Sequence, residues 1–228
     1  MARLTWHGHS TFTLETDSGH RVMFDPFLDE NPKSDIQVAD VQELDFILVS
    51  HGHFDHFQDA IPLAKKTGAT LISTFEIVGF CQENGLENVH PLHIGGGNHF
   101  AFGYAKMTPA LHGGQVDGDE EGAFTTVPGG WWLDMPGKTL YHAGDTALLM
   151  EMQLLKGKVD VALLPIGDNF TMGPEDAARA VEFIEPRVVI PMHYSTWEPI
   201  EQDPNEFRDR VAGLAEVVIL DPGDSYNF

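Results

Sequence analysis

Four side chains able to hold a metal ion, His51, His53, Asp55 and His56, lie within one six-residue segment, His51-Gly-His53-Phe-Asp55-His56. In extended backbone, residues two apart project to the same side, so His51 and His53 can address one cation without a helix to align them. Asp55 and His56 follow as the chain turns toward a predicted helix, where they can address a second position close by. Imidazole and carboxylate without thiolate suit zinc, manganese, iron or nickel. Cys81 is the only cysteine, which excludes both a thiolate-rich metal site and an intramolecular disulfide.

The segment before the cluster, Leu44 to Ser50, is a continuous apolar run of the kind found in buried strands, and it delivers the chain directly to His51. Leu4 to Thr16 reads as an extended stretch that turns at Asp17-Ser18-Gly19 into His20 to Phe24, giving a hairpin. Helical periodicity follows at Ala60 to Lys66 and Glu76 to Glu83, with a strand at Ala69 to Ser73 between them. From about Asn98 to Leu140, short segments separated by Gly and Pro suggest antiparallel strands carrying a loop at His112. Strands are then expected at Lys138 to His142, Val159 to Pro165, Arg187 to Pro191 and Val217 to Leu220. They alternate with helices at Ala147 to Leu155, Glu175 to Ile184 and Asn205 to Ala215. Two halves of strand plus helix predict a single domain over residues 1–228, an α/β (α+β) four-layer αββα sandwich.

His-x-His-x-Asp-His after an apolar strand resembles the signature of the metallo-β-lactamase superfamily. Asp25 in Phe-Asp-Pro, His112 in Pro-Ala-Leu-His-Gly-Gly, Asp145 in His-Ala-Gly-Asp-Thr and His193 in Pro-Met-His-Tyr fall in that superfamily's order. Trp6 to Phe12 and Pro165 to Ala177 are similar to a narrower family of metal-dependent hydrolases related to the ascorbate-6-phosphate lactonases. The resemblance implies one metal held by His51, His53 and His112, a second by Asp55, His56 and His193, and Asp145 as the bridge. It implies zinc as the pair of divalent ions, with manganese, nickel or iron as substitutes, and a metal-bridging hydroxide as nucleophile. Asp25 is expected behind the ligands, orienting an imidazole. His9, in Gly8-His9-Ser10, is expected to bind substrate or donate a proton, or else to be structural; Asp55 and Asp145 complete the residues assigned to catalysis.

Each outlying ligand has an ordinary alternative. His112 could be a loop histidine, but the two glycines after it allow close backbone approach. Asp145 could cap a helix beginning near Ala147. His193, after the apolar Val188 to Met192, could be a hydrogen-bonded core histidine. Asp168 and Asn169 are placed where they could face the site, although a glycine is usual at 168 in the relatives. Trp131 and Trp132 read as strand aromatics used in packing, and Cys81 as a buried, inert thiol.

The whole chain carries 35 Asp and Glu against 13 Lys and Arg, a net charge of −22. Such a surface repels phosphate backbones and anionic lipid, so neither nucleic acid nor membrane is expected as a partner. No segment approaches the length of a membrane span, and Met1 to His9 lacks a signal peptide's apolar core, which favours the cytoplasm. The expected activity is hydrolysis of an ester-type bond, in a lactone, carboxylic ester or phosphoester, of a small molecule. Competing readings are a metal-dependent nuclease or phosphodiesterase, which would need a basic track, an iron oxidoreductase, and a non-enzymatic metal-binding protein. Whether the chain forms a homo-oligomer is left open.

Overall fold

The computed structural model describes residues 1–228. Strands β1 (Arg3–Trp6), β2 (Phe12–Glu15), β3 (Arg21–Phe24), β4 (Phe46–Leu48), β5 (Thr70–Thr74) and β6 (Val89–Leu92) stand in that order in one sheet, with β14 (Ser225–Asn227) added beside β1. The second sheet runs from β7 (Gly97–Phe100) through β8 (Gly103–Pro109), β9 (Gly129–Met135), β10 (Lys138–His142), β11 (Val161–Pro165) and β12 (Val188–Met192) to β13 (Glu216–Val217). In each sheet an antiparallel part passes into a parallel part, at β3 with β4 and at β10 with β11. β11 and β12 are buried at every residue, as strands covered on both faces must be.

The inner faces meet in one core, where Phe12, Phe24 and Leu48 of the first sheet join Trp131, Leu140 and Leu163 of the second. Outside the first sheet, α2 (Ala60–Thr67) and α3 (Phe75–Glu83) bury Leu63, Ala64, Ile77 and Cys81 against Met23, Ile47 and Leu71. Outside the second, α4 (Pro174–Ile184) and α5 (Pro204–Val211) contribute Ala177, Ala180, Ile184 and Phe207. The four layers are those of the expected αββα sandwich. Pro174 opens α4, where its missing N–H costs nothing, and Gly68 closes α2 at φ +77°.

Three local departures from the sequence reading bear on the site. The stretch Leu4 to Thr16 is two strands, because the chain doubles back at residues 7–11, with the Thr11 N–H on the Gly8 carbonyl at 3.1 Å. A single helical turn, α1 (Phe54–Phe57), was too short to show a period. The helix expected from Ala147 is only a 3₁₀ segment, Met150–Leu155. Its first residues are taken by other bonds: the Ala147 N–H donates to the Leu111 carbonyl at 3.1 Å, and the Thr146 hydroxyl to the Ala147 carbonyl at 2.7 Å. Asp145 therefore caps no helix.

Candidate metal centre

β4 ends at Leu48, and Val49 and Ser50 carry the chain to His51 at the carboxyl edge of the sheet, where ligand sites of parallel sheets gather. Asp25, just past the end of β3 and held at φ +42°, lies beneath this edge with no exposure. One carboxylate oxygen accepts the Ser50 N–H at 2.7 Å; the other accepts the Ser50 hydroxyl at 2.6 Å and faces His56 Nδ1 at 2.8 Å. Because the Ser50 hydroxyl spends its proton on Asp25, its oxygen accepts from His51 Nδ1 at 3.0 Å. Both imidazoles are thus turned so that Nε2 faces the site. Asp25 does what the sequence expects of it, directly for His56 and through Ser50 for His51.

Gly52 sits between two of the histidines for a steric reason. A Cβ there would come within 2.8 Å of the Val116 Cα and 2.9 Å of the Gln115 carbonyl oxygen. The Asp117 N–H bonds to the Gly52 carbonyl at 2.7 Å, so the segment 115–117 lies flat on the ligand turn.

The second sheet supplies the rest from the ends of its own strands: His112 after β8, Asp145 after β10 and His193 after β12. His193 takes φ +52°, and its N–H donates to the His9 carbonyl at 3.0 Å. Asp145 lies between two histidine groups, with Oδ2 at 3.0 Å from His193 Nε2, 3.5 Å from His112 Nε2 and 4.0 Å from His51 Nε2. Its Oδ1 is 3.2 Å from His56 Nε2. His51, His53 and His112 form one set of converging donor atoms, and His9, Asp55, His56 and His193 another.

These residues fit divalent cations. His53 Nδ1 lies 3.1 Å from both His51 Nε2 and His112 Nε2, three ring nitrogens aimed at one another. His56 Nε2 and Asp145 Oδ1, although close, are not aligned for a hydrogen bond, and both are buried without any partner. Buried polar atoms are rarely left so unless an ion or water completes them. Electrostatics agree. Burial lowers the pKa of His51, helped by the charge of His56, so it stays neutral. Burial would also lower His56, but the charges of Asp145 and Asp55 outweigh it and raise that pKa well above the ordinary imidazole value. Burial would raise Asp145, but His193 and His56 hold it well below the usual carboxylate range. A carboxylate pair this deep calls for positive charge.

His9 lies apart from where a substrate would touch it. It is fully buried, with Nε2 at 3.0 Å from Asp55 Oδ2 and Nδ1 at 2.8 Å from the Thr196 hydroxyl. Burial, with the neighbouring His193, lowers its pKa to about 4. As a neutral ring it donates from Nε2 to Asp55 and accepts from Thr196. Of the two roles the sequence left open, its burial and its bond to Asp55 favour the structural one, a positioning residue for Asp55.

A cavity of about 480 Å³ opens over the cluster, reached by His53, Asp55, His112, Asp145 and His193. Its upper wall is Phe54, Gln115, Asp117, Phe170 and Trp197. The spacing of metal ligands gave no sign of these rim residues. Phe54 and Phe170 are 45% and 58% exposed, unusual for phenylalanine and the kind of signal only a structure supplies. Asp168 and Asn169 are exposed and do not line the cavity; at φ +59° and +48° they form the bend that presents Phe170 to it. Cys81 is buried in the core, its thiol pushed up to about 12, and Trp131 is buried between the sheets.

Two packed mixed sheets with a His/Asp centre at one edge define a metallo-β-lactamase fold. Residues 3–193 match the family described as the beta-lactamase superfamily domain. A UPF0173 metal-dependent hydrolase of Methanopyrus kandleri is 47% identical over 98% of this chain and 99% of its own length. One from Bacillus thuringiensis is 45% identical over 98% of each. The chain belongs to the beta-lactamase superfamily and, within it, to the UPF0173 metal-dependent hydrolases. Among solved structures, Igni18, a metallo hydrolase of Ignicoccus hospitalis, superposes with a TM-score of 0.89 at 37% identity, covering 100% of this chain and 99% of that one. CmlA, a diiron β-hydroxylase of Streptomyces venezuelae, shares the fold alone, with a TM-score of 0.75 at 13% identity over 100% of this chain and 54% of its own.

Proposed function

We propose that this hydrolase binds two divalent ions, zinc in the first instance, and cleaves an ester-type bond of a small molecule. The observation that carries the reading is the position of Asp145, whose two oxygens lie within 3.0–4.0 Å of histidines from both donor sets. His51, His53 and His112 would hold one ion, Asp55, His56 and His193 the other, and Asp145 both. Bound there, two ions acidify a shared water and polarise the bond under attack. The chain's own residues prepare that centre. Asp25 and Ser50 fix the His51 and His56 tautomers, His9 turns Asp55, and the burial of all three leaves little freedom to reorganise. The charge of −22 supports a small-molecule substrate rather than nucleic acid or an anionic membrane surface. No helix is long and apolar enough to cross a membrane.

Metal analysis of protein from zinc-replete culture, joined to a panel of lactones, aryl carboxylic esters and phosphodiesters, tests the reading. Two ions per chain and turnover of at least one class are expected. Asp145→Asn should keep a cooperative melt while turnover falls by roughly 100-fold or more. No bound ion, or wild-type turnover in the variant, would overturn the assignment. Two ions with a silent panel would remove the ester bond.

A further inference from the structure

The lining of the cavity mouth is one-sided in charge. Asp117 stands exposed on the wall with no salt bridge, and no lysine or arginine lines the cavity. Between Lys106 and Lys138 the chain has no basic residue other than His112, while Asp117, Asp119, Glu120 and Glu121 follow directly on the segment that forms the wall. Opposite, Phe54 and Trp197 lie with ring centroids 5.9 Å apart and an interplanar angle of 49°, backed by Phe27 at 5.8 and 5.9 Å, and Phe170 projects from its bend. Trp197 is in turn packed edge-on against buried His9, with centroids 5.0 Å apart, so the aromatic wall is anchored to the metal centre.

We propose that the part of the substrate remaining outside the metal centre is an apolar or aryl group carrying a positive charge, with neutral groups second and anionic groups excluded. This rests on the hydrolase reading of the same site. Aromatic faces attract cations and apolar groups alike, and Asp117 supplies the counter-charge. A phosphate or carboxylate tail would find no guanidinium or ammonium to hold it and would face the unpaired carboxylate of Asp117 instead. Ions held by the His and Asp cluster would attract a reacting oxygen whatever the substrate, so selection falls on the remainder. Molecules that carry a phosphate away from the scissile bond are therefore the wrong class for this chain.

Two measurements on the zinc-loaded protein test this. The first compares kcat/KM for p-nitrophenyl esters of one acyl chain ending in trimethylammonium, tert-butyl or sulfonate. The expected order is cation, neutral, anion, spanning at least about tenfold, and Asp117→Lys should invert the two ends. The second needs no turnover: tryptophan fluorescence titrations with benzyltrimethylammonium and with benzenesulfonate, neither of which competes strongly for zinc. The cation should bind more tightly than the anion in the wild type and lose that advantage in Asp117→Lys, while Trp197→Phe should remove most of the quenching. Equal or tighter binding of the anion, no cation binding at millimolar concentration, or an unchanged preference in Asp117→Lys would overturn the proposal. If the esters are inert but the titrations rank as stated, it is the ester reaction that fails and the charge selection that stands.

Discussion

Asp25, His9 and Asp145 show how differently three buried polar residues serve one centre. Asp25 serves the centre through the imidazoles it orients, and the His9 ring serves it by its hydrogen bond to Asp55. His9 therefore affects metal affinity before chemistry. His9→Phe should weaken zinc binding by about 10–100-fold, and His9→Gln, which keeps a donor, should restore part of it. A competitive chelator titration measures both, and an unchanged affinity in His9→Phe would remove the positioning role. The depressed pKa of His9, about 4, also fixes a sign. Between pH 6.5 and 4 the unfolded chain takes up a proton here that the folded one refuses. Stability tied to His9 is thus intact above pH 6.5 and lost as the pH falls toward 4. In chelator, His9→Gln should lose less stability than wild type between pH 7.5 and 4.5 in urea unfolding. The donor cluster His51 to His56 stood out in the sequence because its types and spacing are restrictive, whereas His112, Asp145 and His193 were pointed to by the family resemblance. Phe54, Phe170 and Trp197 were not legible, since what marks them is their place beside a cavity, which they reach from the start of α1 and from two distant loops.

The strands and helices position these residues mostly by how they end. His51, Asp145 and His193 all follow parallel strands at one edge, and the turns beyond them are packed too closely for change. Gly52 is one such position, where a Cβ would meet the backbone of Gln115 and Val116. Gly52→Ala must push residues 115–117 off the ligand turn, at a cost of about 1–3 kcal/mol, the usual range for overpacking. Activity should fall more than stability, because Gln115 and Asp117 move with that segment. Thermal melts beside kcat/KM check this, and near-normal values of both would show that the turn can yield. Elements with buried parallel strands or a clear helical period were readable from sequence. β6 was not, because Pro91 and the half-buried His90 disguise an edge strand, where proline is tolerated. The expected helix at Ala147 fails because the Thr146 side chain and Leu111 claim its first turn, a tertiary effect that no local pattern carries.

At the scale of the whole molecule, the order of strands and helices was enough to foresee four layers, while the doubling back at Gly8 that brings His9 beneath Asp55 was not. The acidic balance also reaches the whole molecule. Self-repulsion at −22 should make the metal-free protein more stable in 0.5 M than in 0.02 M sodium chloride, and a melting temperature insensitive to salt would show the charges already compensated. The larger consequence lies in where the ligands originate. His51, His53, Asp55 and His56 leave the first sheet, His112, Asp145 and His193 the second, and the only cysteine is buried in a helix layer. Ions held by both sheets would be the chain's cross-links, closing loops across most of its length; a covalent tie around about 100 residues stabilises by roughly 4–5 kcal/mol. Such a staple acts on the rate of coming apart as much as on the balance. Zinc-loaded protein should resist thermolysin-free digestion by subtilisin far longer than chelated protein at the same temperature, and the Asp145→Asn variant should be cut at nearly the chelated rate. Losing the ions would then mean losing the molecule to proteolysis, so that in a zinc-poor cell the enzyme's abundance, and not only its turnover, would follow the supply of metal.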